Sequence, residues 1–392
     1  MTLSTGRRYV RLLHLSLFRR KDFPPSQRRS VAFCVIFLTI FAGFEVFTAI
    51  CFLLDEVLFR RYRSIVLREP IFVIGNPRSG TTILHRVMAC DDERFVFFRS
   101  WEILFPSILQ KKLLSALGRL DRSLGRPLRR RIERFEARHF EKINRIHEFG
   151  LFQPEEDDKL LLHILLGPEL VLLFPYGGFD ALVKFDHSVD PAVRRTAMEF
   201  YANCIRRQAY FKGPQKTLLS KSPWASARVD SLAEQFPDSK LIYLVRNPLD
   251  VVASIISFVH EIHRGVSTAE FTAELDEGAY EVVKFFYLDP LERLAALPPD
   301  RYLIVNYDEL IGEPRKVFDR IHQHFGLGIT PGFSLRLDRE VARMRRHKSR
   351  HRYSLDGSSV THERILSDLQ SVFDRFGFDR QMRSGPTPAE RA

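Results

Sequence analysis

The sequence predicts an α/β fold in which helices flank a mostly parallel central sheet, with an apolar helix near the N-terminus. Three observations predict it. From residue 70 onward, short apolar runs alternate with amphipathic stretches. The run Pro70–Gly75 leads directly into a glycine-bounded turn and a helix-like segment. Upstream, residues 31–54 form a stretch whose only charge is Glu45.

The N-terminal region comes first. Residues 1–63 carry eleven Lys/Arg against four acids, so they hold +7 of the chain's +12 net charge. Between the basic clusters, Val31–Leu54 is long enough to cross a bilayer. It starts late, is long and ends without an A-x-A-like site, which argues against a signal peptide. Three readings stay open. A transmembrane helix would leave the N-terminus in the cytoplasm, at the cost of a mid-span carboxylate. A membrane-surface helix suits the arginine flanks and Phe33, Phe37, Phe41, Phe44, Phe47 and Phe52. The third is a helix packed against the rest of the protein. Membrane association is expected, in an unspecified mode. The expected organisation is 1–64 as this basic and apolar region, 65–380 as the main domain and 381–392 as a polar tail.

Strands follow at Pro70–Gly75, Thr217–Ser220, Lys240–Val245 and Tyr302–Val305. They read as continuous apolar runs, as strands covered on both faces do. Helices are expected after them at about 80–90, 226–236, 249–263 and 314–325. Residues 107–147 are basic and helical in pattern, broken at Gly125-Arg126-Pro127, and read as an insertion between the first strand and the rest of the sheet.

Composition narrows the function. With 45% hydrophobic and 28% charged residues, the 392-residue chain can bury a core and is no disordered tail. The net charge of +12 points to an anionic partner. Four cysteines without C-x-x-C spacing exclude a disulfide scaffold and give no zinc signature. No N-x-S/T sequon marks a secreted domain. These features fit an enzyme or binding domain in the cytoplasm or on the cytoplasmic face of a membrane.

The most informative stretch is VIGNPRSGTT, residues 73–82. A buried strand enters a glycine-bounded turn, and a helix opens near Gly80. Backbone N–H groups there, with the hydroxyls of Ser79, Thr81 and Thr82 and the Arg78 guanidinium, make a ready anion site. The G-x-x-x-x-G spacing is P-loop-like, but a nucleoside-triphosphate P-loop requires lysine where Thr81 stands. A second segment, KLIYLVRNPLDVVAS at 240–254, ends a strand in Arg246 and places Ser254 on the next helix. An arginine and a serine so placed suit a second, separate phosphate.

Together, P-R-S-G-T-T and R-N-P-x-x-x-x-x-S resemble the two cofactor motifs of sulfotransferases that use 3′-phosphoadenosine 5′-phosphosulfate (PAPS). Also in the family's order are Trp101-Glu102, Pro154-Glu155-Glu156-Asp157, Lys221-Ser222-Pro223-Trp224 and a basic segment before Tyr353-Ser354-Leu355. The resemblance spans about residues 70–378 and is closest to bacterial-type members. It implies a P-loop-like nucleotide-binding architecture with PAPS as sulfuryl donor and no metal. Arg78, Ser79, Gly80, Thr81 and Thr82 would hold the 5′-phosphosulfate, and Arg246 and Ser254 the 3′-phosphate. Arg350 and His351, in the late basic run, are candidates to close over the 3′-phosphate. Many members carry lysine at the position of Arg78; arginine keeps the charge but is a poorer proton donor.

Lys221 would be a second cation at the reacting centre, and Trp224 would line a pocket or the core. The acceptor hydroxyl needs a base. Glu102, a lone carboxylate among apolar residues, ranks first, its alternative role being partner to an arginine such as Arg99. His147 ranks second, and Glu148 and Glu155 are further rivals. His85 is expected to pack or face solvent. The expected acceptor is a lipid-like, small-molecule or carbohydrate alcohol. A P-loop kinase or NTPase is the alternative class, disfavoured by the missing lysine. Nucleic acid is not expected, since no aromatic-basic RNA motif or DNA-reading helix stands out.

Overall fold

The computed structural model describes residues 3–23, 29–139, 150–174, 179–266, 273–346, 355 and 357–381. Its centre is a sheet of five parallel strands: β1 (Ile71–Gly75), β2 (Phe95–Val96), β3 (Thr217–Lys221), β4 (Lys240–Val245) and β5 (Tyr302–Asn306), in the order β2-β3-β1-β4-β5. Four strands match the apolar runs to within a residue at each end. β2, with only two residues, is too short to show a period; it joins the edge by pairing Phe95 with Thr217.

β1 sits mid-sheet, with Ile71 opposite both Leu219 of β3 and Lys240 of β4. Alternate residues feed two cores. Phe72, Ile74, Leu241 and Tyr243 enter one, while Ile71, Val73, Ile242 and Leu244 enter the other. This double burial is why the strands read as unbroken apolar runs. From β1 the chain runs to β2 on one side of the sheet, and from β4 to β5 on the other, so the switch point where α/β sheets bind ligands lies between the carboxyl ends of β1 and β4.

The N-terminal region folds onto this body. Helix α1 spans Leu3–Leu17, and α2 spans Val31–Leu58 with Ser30 capping its first turn. Leu12, Cys34 and Leu38 belong to the larger of the two cores. The inward face of α2 also carries polar residues, each bonded to the body. Glu45 pairs with His163 at 2.8 Å, and Gln110 Nε2 donates to Thr48 Oγ1 at 3.2 Å. Asp55 accepts from Ser107 Oγ, from the Ile108 and Leu109 amides, and from Arg207 Nε at 3.1 Å.

Next come α3 (Thr81–Met88), α4 (Ser100–Leu104), α5 (Ile108–Ser123) and α6 (Pro127–His139). The break expected near Gly125 lies between α5 and α6, with Gly125 and Arg126 both in the left-handed region. Asp121 accepts from the Leu128 and Arg129 amides and so caps α6 across that turn. The three other expected helices are Val229–Gln235, Pro248–Val266 and Pro314–His324.

Candidate active site

β1 ends at Gly75, and the chain turns through Asn76–Gly80 into α3. Gly75 (φ +138°) is needed for close approach, since a Cβ there would lie 2.4 Å from the Leu244 carbonyl oxygen. Gly80 (φ +91°) would drive a Cβ to 2.7 Å from the Tyr307 ring. Arg78 adopts φ +70° although it is not glycine, which concentrates backbone strain on the basic residue of the loop.

Two neighbouring strands bring further cations to this turn. β4 leads into Arg246, whose guanidinium donates to the Arg78 carbonyl at 2.9 Å and to Asp250 at 3.2 Å, 4.4 Å over the Tyr307 ring. Arg78 Nε donates to Ser254 Oγ at 3.1 Å, from the loop to the helix Pro248–Val266. β3 ends in Lys221, which is 1% exposed and donates to Thr82 Oγ1 at 3.3 Å and to Glu156 Oε1 at 2.9 Å. Arg78, Ser79, Gly80, Thr81, Thr82, Lys221, Arg246 and Ser254 thus converge on one turn.

Unsatisfied donors are found at this turn as elsewhere in the molecule, and here they sit among the converging cations. Ser79 Oγ and Arg246 Nε are buried without a hydrogen-bond partner among the described residues, which is costly unless a ligand supplies acceptors. Adding the amino end of α3, the set fits the phosphate and sulfate oxygens of PAPS. His85, one turn into α3, packs: it is buried, with Nε2 donating to the Leu219 carbonyl. Burial, helped by Lys221, pushes its imidazole down to about 3, so it is neutral at physiological pH.

Across from the loop runs the 3₁₀ helix Asp157–Ile164, which begins directly after Glu156. The carboxylates of Glu156, Asp158 and Glu169 lie within 4.8 Å of one another. Cations offset them: Lys221 on Glu156, Arg228 on Asp158 at 3.4 Å, and Lys159 at 3.1 Å from Glu155 and 3.9 Å from Glu156. Burial pushes Glu169 up to about 8, with Asp158 adding to the rise. Asp157 turns inward to accept from Ser220 Oγ and Tyr201 OH, and burial pushes it up to about 7.

Glu102 stands in a different setting. It is fully buried in α4, where one oxygen accepts from the Arg99 amide and from Gln208 Nε2, both at 2.9 Å. The other oxygen pairs with Lys212 at 2.6 Å. Its cationic partner is therefore Lys212, and Arg99 contributes its backbone N–H. Glu155 accepts from the Glu156 amide and from Lys159. Trp224 is half-buried, edge-on to Phe286. His147, Glu148, Arg350, His351, Tyr353 and Ser354 lie outside the described residues.

Two residues escaped the sequence reading. Glu156 is one of four consecutive acids, and an irregular segment has no period to show which of them faces Lys221. Tyr307 left one clue, an aromatic residue directly after a strand end.

Comparison with known proteins agrees with this arrangement. The model of the Sulfotransferase family matches residues 70–167 and 177–331. Proteins from Mycobacterium bovis and Mycobacterium tuberculosis, each named omega-hydroxy-beta-dihydromenaquinone-9 sulfotransferase Stf3, are 27% identical over 336 residues, 83% of this chain and 79% of theirs. The fold is shared with sulfotransferase STF9 from Mycobacterium avium (TM-score 0.74, 17% identity, 98% of this chain and 96% of that one). It is also shared with STF1 from Mycobacterium tuberculosis (TM-score 0.70, 18% identity, 95% and 93%). A loop that gathers cations and unsatisfied donors at the switch point, inside a match spanning most of the chain, has one family explanation: the chain belongs to the sulfotransferase family.

Proposed function

We propose that this chain transfers a sulfuryl group from PAPS to the hydroxyl of a lipid-like alcohol. The observation that carries the reading is the meeting of Lys221 and Arg246, from the strands on either side of β1, at the turn that holds Arg78. Arg78, Ser79 and the Gly80–Thr82 amides would hold the 5′-phosphosulfate. Arg246 and Ser254 would hold the 3′-phosphate. Bound PAPS supplies an electrophilic sulfuryl group on a phosphate leaving group.

The chain's own residues do the rest. Arg78 and Lys221 offset the negative charge that builds on the leaving phosphate. The better proton donor of the two is Lys221, which compensates for arginine at position 78. Glu156, on the far side of Lys221, takes the proton of the acceptor hydroxyl. This role passes to Glu156 from Glu102, whose two oxygens are committed to Arg99, Gln208 and Lys212 away from solvent.

The acceptor class is supported by the relatives named for a menaquinone derivative, whose omega-hydroxyl is an alcohol on a lipid. The four free cysteines suit a reducing compartment, hence the cytoplasm or the cytoplasmic face of a membrane. The test is incubation with ³⁵S-labelled PAPS and a bacterial lipid extract, alongside an omega-hydroxylated quinol. Label in an organic-phase product is expected. Label only in water-soluble products would overturn the lipid acceptor, and no thermal shift with PAPS or its desulfated product would overturn the donor.

A further inference from the structure

We propose that the chain docks on an anionic bilayer surface through the outward face of α2, which lies flat in the headgroup region without crossing it. The proposal rests on the surface itself and holds whatever the acceptor.

The two sides of α2 differ. Inward residues Cys34, Leu38, Glu45, Thr48, Cys51 and Asp55 are buried along one stripe. On the opposite side, Ile36, Ile40, Phe47, Ile50, Leu54 and Val57 are 41–78% exposed, at helical spacing along nearly the whole helix. Helix α5, packed beside α2, exposes Leu113, Leu117 and Leu120 at i, i+4 and i+7, with exposed Leu124 directly after its end. An apolar surface of this extent is a binding face.

The inward bonds exclude a crossing. A spanning helix is surrounded by lipid or by other spanning segments. Here the body abuts α2 from Cys34 to Asp55, with His163, Gln110 and Arg207 bonded to its polar stripe. Crossing would carry those groups into hydrocarbon or break every bond they make. The mid-span carboxylate is thus explained: Glu45 belongs to the protein side.

Charge selects the partner. Arg7 and Arg11 are exposed on α1, beside the start of α2, and Arg60 and Arg61 just past its end. Helix α6 exposes Arg130, Arg131 and Arg134. An apolar face rimmed by arginines complements anionic headgroups over acyl chains. Against a second copy related by two-fold symmetry, the same arginines would face one another.

The test is flotation of the full chain with vesicles of phosphatidylcholine, alone or with phosphatidylglycerol. Binding is expected with phosphatidylglycerol and should weaken in high salt. Ile40→Glu with Ile50→Glu alters only exposed positions; it should lower binding at least tenfold while the thermal shift with desulfated PAPS is retained. Leu335→Glu, an exposed control on the helix Pro331–Arg346, should change nothing. Tryptophan introduced singly as Ile36→Trp, Phe47→Trp or Val57→Trp, with the native signal subtracted, should be quenched at one shallow depth. A depth that runs from one interface to the other across these positions overturns the flat arrangement. Failure of the folded protein to float with anionic vesicles overturns the proposal, as does a stable dimer that the double variant dissociates.

Discussion

Two parts of this molecule bury charge, and they treat it differently. Around α2, most buried charges have protein partners: Glu45 with His163, Asp55 with Arg207 and the start of α5, Glu102 with Lys212. At the mouth of the sheet, Ser79 Oγ and Arg246 Nε are buried without hydrogen-bond partners among the described residues, and Arg78 holds a strained backbone. Saturated polar groups hold elements together; unsaturated ones gathered at a turn with several cations suit a ligand. Lys111 is the test case. Its buried amine lies 5.1 Å over the Phe98 ring with no hydrogen-bond acceptor among the described residues, and burial pushes it down to about 8, so the cost shows as an amine that is easier to deprotonate than usual.

The contrast is most sharply tested at the two glutamates. Glu156→Gln should cut turnover by about 10²–10⁴-fold, with the thermal shift from desulfated PAPS nearly unchanged. Glu102→Gln should instead cost about 2 kcal/mol of stability, by weakening a charge-assisted contact, and leave turnover per folded molecule largely intact. Swapped outcomes would return the base to α4. Arg246→Ala should weaken binding of desulfated PAPS by about 10- to 100-fold in calorimetry, the worth of a charged hydrogen bond, with a smaller effect on the rate at saturation. Gly80→Ala should destabilise by about 1–2 kcal/mol in urea titration, because alanine must take the left-handed backbone and displace Tyr307.

The smallest effect concerns pH. Asp157 titrates near 7 in the fold against an ordinary 3.8, because burial disfavours its charge. A raised carboxyl contributes stability that is full below the ordinary value and lost as pH rises through 7. Melting temperature should therefore fall from about pH 4 to 7 and level off above that, and Asp157→Asn should flatten that fall. Glu169 has the same sign, while Lys111 has the opposite one, since its neutral form is favoured above about 8.

How much of this was legible depends on periodicity and contact distance. The strands could be read because both faces of β1 and β4 are buried, leaving unbroken apolar runs. The phosphate loop could be read because Gly75 and Gly80 mark positions where a Cβ has no room. What could not be read is pairing across the chain. Nothing near Glu45 in sequence announces His163, and nothing near Glu102 announces Lys212, so both glutamates looked like isolated carboxylates in apolar surroundings. Glu156 was hidden differently, by three acidic neighbours in a segment without a repeat.

The 3₁₀ helix Asp157–Ile164 begins just after Glu156 and carries His163, bonded to Glu45 of α2, near its other end. Seven residues at about 2 Å each separate the two, a span of roughly 14 Å. Trimming α1 and α2 to ease purification would therefore do more than remove a greasy surface. It would leave His163 with only its bond to the Ile103 carbonyl and loosen the helix that follows Glu156, so rates measured on a shortened chain should differ. The same linkage constrains inheritance. In descendants of this chain, Glu45 and His163 should be kept together or replaced together, because losing either alone is felt at the far end of the helix.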